Sequence, residues 1–330
     1  MRVSPSSLQR MVYAMGRRCK TPQELSAELG LDMWRGYLVT DDKHIDVRGS
    51  TMPWYLGLDS RGDIVHATVM GEQNVGAMVH FFETIRDGCH YRLRGLTSDQ
   101  EQLFALAFPR VFAGKPHQYC LKHALDHLDR VLGYQRLQSR RRNLKIRLRA
   151  ILEGLPARGQ LRSELHARQD LLRGYEQLRS LRESLQPLDE LRQAIRHVLF
   201  SRTERTARSR WANFFRHRLR RHPAHRTIVE YVQGNWHGLT VHYRFRGMPH
   251  TNNVAERTMV ELERRLKTIG AFGNAHTAEA YINLLIAYLR TKPYTDCRGP
   301  RKYRNGLSRL ELAGAQLPTK DWLRLALKPQ

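Results

Sequence analysis

Apolar residues in this chain recur at helical spacing, then alternate as in strands, then return to helical spacing. SPSSLQRMVYAMG and TPQELSAELG read as two short helices, with Ser4 or Ser6 and Thr21 near their starts. Two readings stand for them: the tail of a helix-turn-helix, with Ser6, Ser7, Gln9 and Arg10 facing a DNA groove, or a helical hairpin packed on the next domain. From Trp34 the pattern becomes strand-like, through GYLVTDDKHIDV and MPWYLGLDSRGDIVHATVM, with a turn at Asp59-Ser60-Arg61-Gly62. Three antiparallel strands are expected there. A helix over roughly Gln73 to Arg86 comes next, then a strand, YRLRGLTSD, ending at Asp99, a helix, EQLFALAF, and a short strand, HQYCLKH.

After about His127 the composition shifts to leucine and arginine at helical spacing, lasting to about Arg221, and an all-helical block is expected. It opens on a basic run, Arg140, Arg141, Arg142, Lys145, Arg147 and Arg149. Such runs are usually solvated helix faces, and the overall charge makes a phosphate-facing surface the rival reading here. The aromatic residues Trp211, Phe214, Phe215 and Trp236 suit core packing, with Trp236 the best placed to stack on a base because it lies nearest Glu256 in sequence. Thr251 to Gly273 then reads as one helix, with Thr251, Asn252 and Asn253 as caps, Gly270 and Gly273 as stops, and Met259, Leu262, Leu266 and Ile269 as its apolar stripe. TAEAYINLLIAYLR is an apolar helix that should pack under the sheet, and the basic tail carries a last short helix, KDWLRLAL.

Charge changes this picture most. The 330 residues hold 56 Lys+Arg against 31 Asp+Glu, a formal net charge of +25. A polyanion is therefore the leading class of partner, with double-stranded DNA first. There is no apolar run long enough for a membrane span and no signal-peptide core in MRVSPSSLQRM, so a cytoplasmic, nucleoid-associated protein is expected. Cys19, Cys89, Cys120 and Cys297 are scattered, with neither a disulfide framework nor a paired zinc motif.

Three acids stand out by context: Asp41 in the first strand, Asp99 at the end of a later one, and Glu256 at the start of a basic helix. Taken alone, Glu256 reads as a surface ion-pair partner. Together, carboxylates at neighbouring strand ends and one from a packed helix suit Mg²⁺, a hard cation that keeps waters and takes further ligands from phosphate. Two such ions activate water or a 3′-hydroxyl and stabilise the leaving oxygen in phosphoryl displacement. Alternation puts Asp41 on the face of Tyr37, Val39, Ile45 and Val47, and Asp42 with Leu38 and Thr40, which leaves open which of the two holds metal.

The order LVTDDKHIDV, LTSDQEQLFALAFPRVF with HQYCLKH, and TNNVAERTMVELERRLKTIGAFG resembles the DDE transposases of the Mutator-like and related bacterial insertion-sequence families. The resemblance runs from about Trp34 to Arg290. It departs from the family pattern at Asp42 and Gln100, each standing where glycine is usual, and in one extra residue between Thr251 and Glu256. It implies an α/β, ribonuclease-H-like mixed five-stranded sheet flanked by helices and interrupted by an all-helical insertion domain. The implied segments are a short helical start (1–33), the catalytic core (34–134 and 248–292), the insertion (135–247) and a basic tail (293–330). It further implies Asp41, Asp99 and Glu256 as catalytic metal ligands for two Mg²⁺ ions, with Mn²⁺ an acceptable substitute. Cys120 and His123 match the family's Cys-x-x-His pair and are read as supporting the site. The DNA contacts expected are Arg140, Arg141, Arg142, Trp236, Arg257, Arg264, Arg265 and Lys267. Transposon terminal inverted repeats and target DNA would be the partners, held by a homodimer, with no membrane involved.

Overall fold

The computed structural model describes residues 4–31, 33–154, 161–267 and 269–329. Helices α1 (Pro5–Arg18) and α2 (Pro22–Leu29) precede strands β1 (Tyr37–Val47), β2 (Ser50–Asp59) and β3 (Ile64–Val69). Helix α3 (Val75–Glu83) runs into a π-helical turn, and β4 (Gly95–Ser98), α4 (Gln102–Val111) and β5 (His117–Tyr119) come after it. Next are α5 (Leu121–Val131), α6 (Tyr134–Glu153), α7 (Leu161–Leu199), α8 (Glu204–Phe215) and α9 (Pro223–Leu239). The chain closes with α10 (Asn253–Leu266), α11 (Ala275–Thr291), α12 (Arg309–Leu312) and α13 (Trp322–Ala326). Two compact units result, one of residues 1–120 with 245–330 and one of residues 121–244.

The first unit is an α/β structure around a mixed five-stranded sheet in the order β3-β2-β1-β4-β5. β1 pairs antiparallel with β2, and β2 with β3, whereas β4 joins β1 and β5 joins β4 in parallel. The β1–β2 hairpin closes over Arg48 and Gly49, both at positive φ, the geometry a tight two-residue hairpin requires. A parallel β4 needs a crossover, and α3 supplies it. Strand alternation splits the sheet cleanly: Val39, Trp54, Leu56 and Leu58 pack against Met259, Leu262, Ile282 and Ile286 of α10 and α11. Leu38, Tyr55, Val65 and Leu96 instead face Met78, Phe81, Phe82, Phe104 and Phe108 of α3 and α4. The apolar helix expected under the sheet is α11.

Several expected boundaries move for identifiable reasons. YRLRGLTSD is strand only from Gly95, because Tyr91 and Leu93 are buried beside α3 while the backbone N–H groups of Tyr91 and Arg94 donate to Ile85 and Gly36 instead of to a strand. The short strand stops at Tyr119, and the adjoining CLKH enters α5. The helix read from Thr251 to Gly273 ends at Leu266. The chain turns at Gly270, which has φ 76°, and Phe272 then pairs with Val47 at the far end of β1.

In the second unit α5 is tied to α7 by Arg192 Nε, 2.8 Å from Asp129 Oδ1. α6 lies along α7 at a close crossing. A Cβ added at Gly174 would sit 2.3 Å from Leu148 Cδ2, so glycine sets how near the two helices approach. The unit begins at Leu121, so α5 belongs with the helices after it.

Both chain ends belong to the sheet unit. Cys19 pairs with Leu327 across an isolated bridge, and α1 packs on α11, with the position of a Gly16 Cβ only 2.5 Å from the Ala280 carbonyl oxygen. Both of the first helices pack on the sheet unit, α1 on α11 and α2 against β3. Arg290, fully buried on α11, holds this arrangement: its Nε and Nη2 donate to the two Asp63 carboxylate oxygens at 2.9 Å each. Its guanidinium also donates to the Pro22 carbonyl and the Ser26 hydroxyl, both at 2.8 Å, and so reaches α2. Removing one member of a buried pair strands the other charge, so Arg290→Met should cost about 3–5 kcal/mol of stability. The double variant Arg290→Met/Asp63→Leu should be less destabilised than Arg290→Met alone, a difference that urea unfolding monitored by circular dichroism measures directly.

Candidate metal centre

β1 carries two adjacent acids, and its pleat sends them to opposite faces of the sheet. Asp41 lies opposite Leu56, on the side covered by α10, and Asp42 lies opposite Tyr55, on the side covered by α3 and α4. Asp41 is only 8% exposed. Its partner is Asn252, whose amide Nδ2 donates to Asp41 Oδ1 at 3.4 Å. The Cys120 thiol donates to Asn252 Oδ1 at 3.1 Å, and the Cys120 N–H donates to the Ser98 carbonyl at 2.7 Å. A buried polar chain therefore links the end of β4, the end of β5 and the start of α10 to the first acid. Asn252 occupies the N-cap position of α10, yet its side chain makes no capping bond. The amide that was expected to cap the helix instead orients a carboxylate.

Asp99 comes directly after β4, which runs parallel to β1. Oxygens of Asp42, Asp99 and Glu101 lie within 4.8 Å of one another, and the Glu101 N–H donates to Asp99 Oδ1 at 3.2 Å. Three carboxylates so close repel one another. Burial first, and then the charges of Asp42 and Asp99, push Glu101 up to about 7. Asp41 is pushed to about 7 as well, first by burial and then by the negative charges of Asp42, Glu256 and Asp99. The acids of β1, β4 and α10 thus act on one another electrostatically, and the tight oxygen cluster is Asp42, Asp99 and Glu101. An all-oxygen anionic donor set of this kind fits a hard divalent cation. Glu101 was not singled out from sequence; its only signal was its place two residues after Asp99.

Glu256 stands in the first turn of α10, one residue round from Ala255, which with Met259, Leu262 and Leu266 buries the helix against the sheet. Arg257, Arg264 and Lys267 are exposed on the same helix, whereas Arg265 is half-buried with its guanidinium 5.7 Å over the Tyr288 ring. His123 lies on α5, in the helical unit. In that unit Arg140 and Arg142 are exposed, Arg141 is half-buried, and Arg140 lines a groove between α6 and α7 with Arg147 and Gln177. Successive helix residues point about 100° apart, so the three arginines face different directions round α6. Trp236 stacks on Trp211 at 5.6 Å, within an aromatic group that includes Phe214 and Phe215.

Asp41 carries a pH signature. With its folded pKa raised from 3.8 to about 7, the folded protein holds this proton more tightly than the unfolded chain does. Its ionisation therefore opposes folding, and stability in EDTA should fall as pH rises from about 4 through about 7. Thermal melts across this range should show a shallower fall for Asp41→Asn.

No family model matches the chain and no curated protein matches it.

Proposed function

We propose that the protein is a DDE-type DNA transposase whose sheet unit is a ribonuclease-H-like catalytic core and whose helical unit is an insertion domain. The observation that carries this reading is the cluster of Asp42, Asp99 and Glu101 oxygens within 4.8 Å of one another where β1 and the end of β4 run side by side. Support also comes from the strand order, from the motifs around Asp41, Asp99 and Glu256, and from the net charge of +25.

In this reading Asp41, Asp99 and Glu256 would hold two Mg²⁺ ions, with Asp42 and Glu101 as neighbouring carboxylates. Bound Mg²⁺ supplies Lewis-acid stabilisation and an activated oxygen nucleophile for in-line displacement at phosphorus. The chain's own part is positional. Asn252 and Cys120 fix the Asp41 carboxylate, and α10 fixes Glu256. Arg257, Arg264 and Lys267 hold the backbone of the strand passing the site, which makes binding salt-sensitive. The DNA bound would be the transposon ends and the target, handled by a homodimer, with cleavage at the ends and then transfer of the 3′-hydroxyl. No helix among the described residues is long and apolar enough to cross a membrane.

The first test is whether inverted repeats flank the coding region, and the second uses labelled oligonucleotides that carry them. Mg²⁺-dependent cleavage and joining are expected, and Glu256→Gln or Asp99→Asn should slow both by at least about a hundred-fold, since each removes several kcal/mol of transition-state stabilisation. Undiminished cleavage by Glu256→Gln overturns the assignment of that residue. Cleavage without joining identifies a structure-specific nuclease, and binding without cleavage a non-catalytic descendant. Comparing Asp41→Asn with Asp42→Asn decides which acid of β1 is the ligand.

A further inference from the structure

The segment after α11 forms a closed loop with its cations turned outward. The Cys297 N–H donates to Asn305 Oδ1 at 2.8 Å and Asn305 Nδ2 donates back to the Cys297 carbonyl at 3.1 Å, so one side chain pins both ends. Between them Gly299–Arg304 makes a 3-10 turn. In such a turn residues three apart eclipse one another, so Arg301 and Arg304 share one side, about 6 Å apart, and Arg298 stands at the start of the turn. That spacing resembles the step between phosphates on one nucleic-acid strand. The helix after the loop, α12, is docked on the β2–β3 turn, where Arg309 Nη1 donates to the Gly62 carbonyl at 2.6 Å and Arg61 Nη1 to the Leu312 carbonyl at 3.3 Å.

Tyr303 stands on this loop with 65% of its surface exposed. The Arg304 guanidinium carbon lies 5.7 Å from the ring centroid and its Nε 3.4 Å from the hydroxyl. The phenol is pulled below its ordinary value, first by that hydrogen bond and then by the charges of Arg304, Arg35 and Arg61. The nearest acid along the chain, Asp296, accepts from the Thr295 hydroxyl at 3.1 Å. The result is an aromatic ring held in a prearranged cationic loop.

We propose that this loop binds single-stranded nucleic acid, with an unpaired base stacked on Tyr303 and the flanking phosphates on Arg298, Arg301 and Arg304. A duplex keeps its base faces stacked within itself and cannot use the ring, whereas every unpaired base offers a face. Binding of this kind needs no metal chemistry and is independent of strand cleavage at the acidic site.

Binding of labelled oligothymidylate and of a duplex of equal length to the full chain, measured by fluorescence anisotropy in EDTA, tests it apart from catalysis. Tyr303→Ala should weaken the single strand about five- to hundred-fold and leave the duplex within about two-fold, while Tyr303→Phe keeps both. Arg301→Ala/Arg304→Ala should lower the single-strand salt slope by about 1.4, the loss of two phosphate contacts. Photocrosslinking of 5-iododeoxyuridine oligonucleotide, mapped by mass spectrometry, should mark Tyr303 even though other basic surfaces also bind. Unchanged oligothymidylate affinity in Tyr303→Ala, equal losses on both probes, or crosslinks that avoid residues 298–304 would each overturn the proposal.

Discussion

A guanidinium sealed from solvent holds the sheet unit in one piece. Arg290 reaches from α11 to both oxygens of Asp63 and to the polar groups of Pro22 and Ser26, and the Trp34 indole donates to the same carboxylate at 3.0 Å. A buried charge is tolerated only when its donors are met, and here four of its contacts are. The neighbouring Asp59, also fully buried, takes the Gly36 and Arg61 N–H groups and the Tyr91 hydroxyl. The two aspartates make the β2–β3 turn the junction at which the N-terminal helices, the first strand and the C-terminal segment are assembled.

That junction sets where β1 begins, and β1 sets the site. Its register with β2 sends Asp41 towards α10 and Asp42 towards α4, while its parallel pairing with β4 brings Asp99 alongside. The crowding of acids costs stability in the absence of a counter-charge, as the upward displacement of Asp41 and Glu101 shows. Structures keep such crowding where a cation or a proton resolves it. Exposed cations stand on α10, at Arg257 and Arg264, and on the closed loop, at Arg298 and Arg301.

The amino-acid pattern alone determined much of the frame. Alternation in LVTDDKHIDV and in MPWYLGLDS, broken by turn residues, was enough for the first two strands. The leucine and arginine spacing beyond His127 was enough for a helical block, because period is a local property of a chain. Alternation also separated Asp41 from Asp42 by face. Local signals fell short where distant residues compete for the same backbone or side chain. Gly36 takes the Arg94 N–H and shortens β4; the pairing of Phe272 with Val47 draws the chain off α10 after Leu266. Asn252 gives its amide to Asp41 rather than to the helix cap, and Arg265 turns to Tyr288 rather than to solvent.

Only the tertiary structure decided which acids meet. Glu101 joins Asp42 and Asp99 because a parallel strand pair puts the turn after β4 beside the middle of β1, a proximity between residues far apart in the chain that no local pattern encodes. Residue types and their periods are written along the chain, and they were sufficient for the classes of element. The distances between carboxylates are set by strand register, and register is a contest between whole faces of the sheet that is settled only when both are packed.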